Sequence, residues 1–220
     1  MSRSTYAVLT GDVVAYRSLP EDQRPGLIEV LRAAYQRVCR LHPGGVSTEL
    51  AVFRGDSWQF VMSAPDKSLR AALLVRAHML SRSLDTRVAI GIGTVDFLPS
   101  AALPTGDGEA FRMSGGALDG MPRGRRLAIR ASGPLGSMDQ PTSDILVLLL
   151  DALVGGWTPA RAAAVAGALE GLSQRTIGTR WEGGAISQQA VAQHLDRAHW
   201  YAVAQALQHF ETELRRGFGT

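Results

Sequence analysis

The sequence predicts an α+β protein in which a βαββαβ unit is followed by an all-helical segment. Two apolar runs rich in β-branched and aromatic residues, broken at Gly55 and Asp56, read as a hairpin at residues 49–62. Strand and helix patterns alternate around that hairpin as far as residue 95. From residue 143 onward only helical periodicity remains.

Residues 6–10 form the first buried strand, which ends at Gly11 and Asp12. A helix follows with Leu27, Leu31, Ala34, Val38 and Leu41 on one stripe; Pro25 fits its first turn, and Pro43, Gly44 and Gly45 end it. The hairpin arms lie at 49–53 and 58–62. Pro65 and Asp66 open a second helix reaching Leu84, with Leu69, Leu73, Val75, Ala77 and Leu80 apolar. Residues 86–95 are the fourth strand. This order is the split βαβ of ferredoxin-like folds, in which the first strand and the second hairpin arm are central neighbours. A short helix at 109–121 and a strand at 125–130 come next, the charges of that strand suiting a sheet edge. The Gly, Pro and Ser of residues 131–143 set a boundary between an N-terminal domain, 1–138, and a helical domain, 139–220.

Neighbouring central strands bring Asp12 and Asp56 to one end of the sheet. Two carboxylates there suit a hard divalent cation, Mg²⁺ or Mn²⁺, which takes oxygen ligands. Each Gly-Asp pair is also a common turn dipeptide, so the reading rests on the two together. Gly91 and Gly93 share a strand face and leave packing space for a helix crossing the sheet. The five histidines are dispersed and predict no zinc site.

With 220 residues, 45% hydrophobic and 20% charged, the composition is that of an ordinary globular chain. A net charge of +3 does not by itself indicate nucleic-acid binding. The single cysteine, Cys39, falls in a helical pattern and fits a reducing cytosol. The N-terminus lacks the zones of a signal peptide, and the longest apolar run, 145–153, is short and interrupted by Asp151. A cytoplasmic protein without a membrane span is expected.

The helical segment reads as helices at 143–154, 159–172, 173–181, 187–195 and 198–216, with Trp157, Trp181 and Trp200 as its aromatic core. Ser187 is an N-cap, after which Ala190, Val191 and Leu195 face a core and Gln188, Gln189, Gln193 and His194 point away. Preceded by a helix containing Ile177, this reads as a helix-turn-helix whose exposed side chains suit a DNA major groove. The cations of this segment are matched by its carboxylates, so general phosphate attraction is weak and a dimerisation or protein-contact module is an equal reading. Residues 123–130, rich in arginine, are the expected source of any phosphate contacts.

Residues 10–19, 53–60, 87–93 and 108–118, in this order and with a helix-turn-helix tail, resemble the SatD family of bacterial proteins. The N-terminal part is similar more widely to class III nucleotide cyclases and, more distantly, to GGDEF cyclases. The resemblance spans essentially the whole chain. It implies a nucleotide-cyclase-type domain in which Asp12 and Asp56, with Val13, hold two metal ions on a triphosphate. It further implies that the 11–16 segment, including Gly11, Val14 and Tyr16, offers backbone N–H groups to phosphate. The family's purine-contacting lysine is absent near Val52. Phe111 and Gly115 or Gly116 replace the asparagine and arginine that stabilise developing charge. Arg54, Arg112 or the arginines of 123–126 are candidate substitutes. The resemblance therefore implies a regulator with a cyclase-like metal- and nucleotide-binding domain, reduced or altered catalysis, a helix-turn-helix output and a two-fold homodimer. An active nucleotidyl cyclase or nucleotidyltransferase, and a non-enzymatic assembly scaffold, are the alternatives.

Overall fold

The structure, a computed structural model, describes residues 4–14, 16, 24–53, 55–98, 106–133, 135 and 138–218. Its mixed α+β architecture begins with β1 (Thr5–Val13), α1 (Arg24–Leu41), β2 (Ala51–Phe53), β3 (Ser57–Met62), a 3₁₀ turn at Pro65–Lys67 and α2 (Ser68–Ser81). It continues with β4 (Thr86–Thr94), α3 (Glu109–Asp119) and β5 (Leu127–Ala131). The remaining helices are α4 (Gln140–Gly155), α5 (Pro159–Leu169), α6 (Gln174–Thr179), α7 (Gln188–Arg197) and α8 (Trp200–Phe218). The strands form one sheet in the order β2-β3-β1-β4-β5. β1 lies between β3 and β4 and is antiparallel to both, while β5 adds to the edge parallel to β4.

Alternation along the strands sorts the side chains onto two faces. Ala7 and Leu9 align with Met62 and Phe60 on one side and with Ile92 and Ile90 on the other, and all are buried. This face packs under α1 and α2. The opposite face carries Val8, Thr10 and Asp12 and is crossed by α3. A β-carbon on Gly91 would lie 2.1 Å from the Ala110 carbonyl oxygen and 2.4 Å from the Ser114 nitrogen, so Gly91 provides room for that crossing.

α2 is the central helix. Leu69, Ala71, Leu73, Leu74, Val75, Ala77 and Met79 have no solvent exposure, which marks a helix covered on every side. It touches β1 and β4, and also α1, α5 and α8. The buried apolar cluster runs without a break from the sheet through α2 to Val147, Leu150, Val165, Val191, Leu207 and Phe210. Each helix from α4 to α7 opens on a side-chain N-cap: Asp139 to the Thr142 N–H, Thr158 to Arg161, Ser173 to Thr176 and Ser187 to Ala190.

Ion pairs fasten the C-terminal helices to the rest. Arg37 of α1 grips Glu170 through two hydrogen bonds of 2.6 and 2.7 Å. Glu211 of α8 accepts from Lys67 at 2.7 Å and Arg70 at 2.6 Å. Deepest is Arg76 of α2, fully buried, which donates to Asp151 of α4 at 2.7 Å and to both carboxylate oxygens of Asp85 at 3.2 and 3.3 Å. Asp151 also accepts the Arg126 N–H at 2.8 Å. Among the described residues no helix is long and apolar enough to cross a membrane.

Replacing Asp151 by Ala should cost about 3–5 kcal/mol, because it leaves the desolvated Arg76 guanidinium with Asp85 alone and the Arg126 N–H without its acceptor. Urea unfolding should show this loss, and an Arg76→Met/Asp151→Leu double variant should recover most of it. A second expectation concerns acid. Burial, with Arg37 and Arg82 nearby, pushes His78 down to about 4 despite the opposing charges of Glu170 and Glu182. The unfolded chain therefore takes up a proton, below about pH 6.5, that the folded chain refuses until about pH 4. The associated stability is complete above pH 6.5, is lost as pH falls through that window, and amounts to at most ~3 kcal/mol. His78→Gln should flatten the stability profile between pH 6.5 and 4.

Candidate functional site

At the end of β1 the register sets Asp12 opposite Ser57 of β3 and Arg87 of β4. All three belong to the sheet face that α3 crosses. There, the Thr10 and Ser114 hydroxyls lie 2.9 Å apart and Gln59 donates to Thr10 at 2.8 Å. Asp12 is engaged by both arms of the Arg87 guanidinium, one contact being Nε to Oδ1 at 2.8 Å and the other Nη2 to Oδ2. Asp56 occupies the adjoining hairpin turn, and its carbonyl accepts the Val13 N–H at 3.0 Å. The two aspartates expected to meet thus stand at the same end of neighbouring strands. Arg87 is held further toward its charged form, mainly by the hydrogen bonds it donates to Asp12, with the Asp12, Asp119 and Asp56 charges adding to it. The Arg87 guanidinium thus pairs with the β1 carboxylate and feels the more distant charges of the hairpin turn and the end of α3.

The backbone here is shaped by close contact. A β-carbon on Gly11 would come within 2.4 Å of both the Arg87 carbonyl oxygen and the Trp58 ring, so glycine is required for the fit of β1 on its neighbours. Trp58 is fully buried; its indole N–H donates to the Thr86 hydroxyl at 2.9 Å, and that hydroxyl donates to the Asp12 carbonyl at 2.6 Å. The aromatic residue after the hairpin turn is a prop beneath the aspartate. Gly55 turns with φ +86°, and the Tyr16 hydroxyl lies 2.8 Å from where its β-carbon would be.

Several expected roles meet a different arrangement. The Val13 N–H is bonded to the Asp56 carbonyl and the Val14 N–H to the Asp85 carbonyl at 2.9 Å, so these donors for phosphate are already occupied. Arg112 lies toward the start of α3 and bonds Asp107 at 2.9 Å. Since Glu109 reaches Thr94 whereas Ser114 reaches Thr10, that part of α3 is at the end of the sheet away from Asp12. Arg54 lies outside the described residues. Arg125 and Arg126 approach Asp151 and Asp85 at 3.4 and 3.6 Å, and Arg130 pairs with Asp144 at 2.6 Å. The basic stretch is therefore largely spent on internal carboxylates. Sequence reasoning passed over Arg87, although its place on the Asp12 face follows from strict alternation along β4.

In the helical segment, Val191 and Leu195 of α7 are buried, while Gln188, Gln189 and Gln193 are exposed. His194 departs from the expected outward face: it is half-buried and stacks on Trp181 at 5.3 Å with an 11° interplanar angle. Of the tryptophans expected in the core, Trp157 is buried, donating to the Ala198 carbonyl at 3.0 Å, whereas Trp181 and Trp200 are half-buried. The long turn between α6 and α7 folds back compactly. Ile186 donates its N–H to the Gly178 carbonyl at 3.0 Å, and a β-carbon on Gly178 would meet the Ile186 carbonyl oxygen at 2.5 Å.

Among the described residues no group of three or more His, Cys, Asp or Glu side chains is arranged to hold a metal ion. Of the two aspartates expected as ligands, Asp12 is already neutralised by Arg87. Comparison with known protein families and with curated proteins finds no match for the chain.

Proposed function

We propose that the chain is a regulatory protein of the bacterial, cytoplasmic kind. A ferredoxin-like, nucleotide-cyclase-type domain binds a divalent cation and a nucleotide weakly at Asp12 and Asp56 without efficient turnover, and the helix-turn-helix-like segment carries the output. The observation that carries this reading is the juxtaposition of Asp12 with the Asp56 turn at the end of adjacent antiparallel strands. Strand order β2-β3-β1-β4 supports the ferredoxin-like assignment. A cation entering here must displace Arg87 from Asp12, which favours weak binding. Neither Phe111 nor Gly115 and Gly116 can donate a side-chain hydrogen bond to a developing phosphoryl charge. Loss of one such donor alone costs ~10² to 10³ in rate. Exposed Ile145, Leu148 and Leu149 form an apolar stripe on α4 that supports a homodimer.

Titration with Mn²⁺, followed by calorimetry in the presence of ATP or GTP, tests the site. Binding should be weak, lost in Asp56→Asn and tightened in Arg87→Ala, which removes the competing cation, with no cyclic product accumulating. Steady product formation that disappears in Asp12→Ala would establish the cyclase alternative. Absence of Mn²⁺ binding in both the native chain and Arg87→Ala would leave the scaffold.

The exposed glutamines of α7 support DNA as the target of the output, since glutamine can bond an adenine edge bidentately for ~1–3 kcal/mol. Retention of genomic fragments by the full chain at two salt concentrations should be sequence-selective and roughly 10- to 100-fold weaker in Gln189→Ala. Failure to retain DNA at either salt concentration would make the segment a protein-contact module.

A further inference from the structure

A groove of about 1070 Å³ opens between α1, α2, α5 and α6, and neither Asp12 nor Asp56 lines it. Small-ligand sites run to roughly 300–1,000 Å³, so it is large enough for a metabolite-sized occupant. Its charged lining comprises Arg37, Arg40, Arg82 and Arg180 with Glu170 and Glu182. Both glutamates are already engaged, Glu170 by the two arms of Arg37 and Glu182 by Arg82. His78 also lines the groove. It accepts from Arg37 at Nδ1, 2.9 Å away, and burial keeps it neutral at physiological pH, so it adds no charge. Arg40, near the end of α1, and Arg180, just past α6, are exposed, and their guanidinium groups make no hydrogen bond or ion pair with another described residue. Two positive charges therefore remain uncompensated in one concave site. Ala163, Gly167, Leu172 and Ile177 supply an apolar wall beside them.

The geometry points to this groove as an effector site for a small organic phosphate carrying two negative charges, held by Arg40 and Arg180 with its organic part against the α5 and α6 wall. Guanidinium forks match phosphate oxygens in pairs, and a dianion balances the two free charges. An anion held by both arginines would bridge α1 and the end of α6. That bridge has a route onward. Trp181, adjacent to Arg180 and also lining the groove, stacks on His194 of α7, so an occupant that fixes Arg180 biases the setting of α7. The regulatory part rests on reading α7 as the output helix; the binding itself does not.

The test is isothermal titration of the full chain with inorganic pyrophosphate at low ionic strength, with EDTA present to silence any metal-dependent binding at Asp12. Saturable binding is expected, weakened at least 10-fold in Arg40→Gln and in Arg180→Gln, exposed side chains that bond no other described residue, with the circular dichroism spectrum unchanged in both. Arg123→Gln, altering an exposed arginine outside the groove, should bind as the native chain does. No saturable binding, unchanged binding in Arg40→Gln and Arg180→Gln, or equal weakening in Arg123→Gln would overturn the groove as a phosphate site. Loss in Arg87→Gln would instead assign the phosphate to the sheet end. Pyrophosphate should also shift tryptophan emission in the native chain and not in Trp181→Phe. An emission unmoved by saturating pyrophosphate would overturn the coupling to α7.

Discussion

A fully desolvated guanidinium, that of Arg76, is the constraint around which the molecule closes. A cation without water must be met by carboxylates in fixed positions, and here they come from two directions: Asp85 immediately before β4 and Asp151 in the middle of α4. The same carboxylates organise their own neighbourhoods. Asp85 caps the Thr86 N–H with its side chain at 2.8 Å and takes the Val14 N–H on its carbonyl, while Asp151 receives the backbone entering β5. One buried charge thus locks the end of the sheet that bears Asp12 and Arg87 to the first of the C-terminal helices. A shift of α4 against α2 would be felt at the strand end through Asp85.

The sheet was legible because alternation and punctuation agree. Apolar residues two apart, a Gly-Asp break and a capped helix each say the same thing at each position, and the observed strands fall within a few residues of the expected ones. The C-terminal helices were readable for a similar reason: Ser and Thr caps precede apolar stripes. What could not be read is how the two parts meet. Arg76, Glu170 and Glu211 look like ordinary surface charges on helical patterns, and only their partners, distant in sequence, make them interior or half-buried. Asp151 was the one hint, a carboxylate set in an apolar run.

The candidate site shows the same division. Asp12 and Asp56 were identifiable from strand order, because position follows from register. The engagement of Asp12 by Arg87 and of the Val13 and Val14 N–H groups by neighbouring backbone was not, since spacing alone does not reveal which donors are already used. His194 was assigned to an open face by helical period, yet an aromatic neighbour from the preceding turn captures it. Period decides which side of a helix a residue occupies; a loop folding back decides whether that side meets water.

The enclosure of α2 has a consequence for how the chain is made. The strands and α1 can cover only part of that helix, and the rest waits for α5 and α8. During synthesis at roughly 5–20 residues per second, an uncovered surface of leucine, valine and methionine is presented for several seconds before α5 and α8 leave the ribosome. Nascent chains in that interval are natural clients for holding chaperones. Folding of α5 and α8 onto α2 supplies the missing cover.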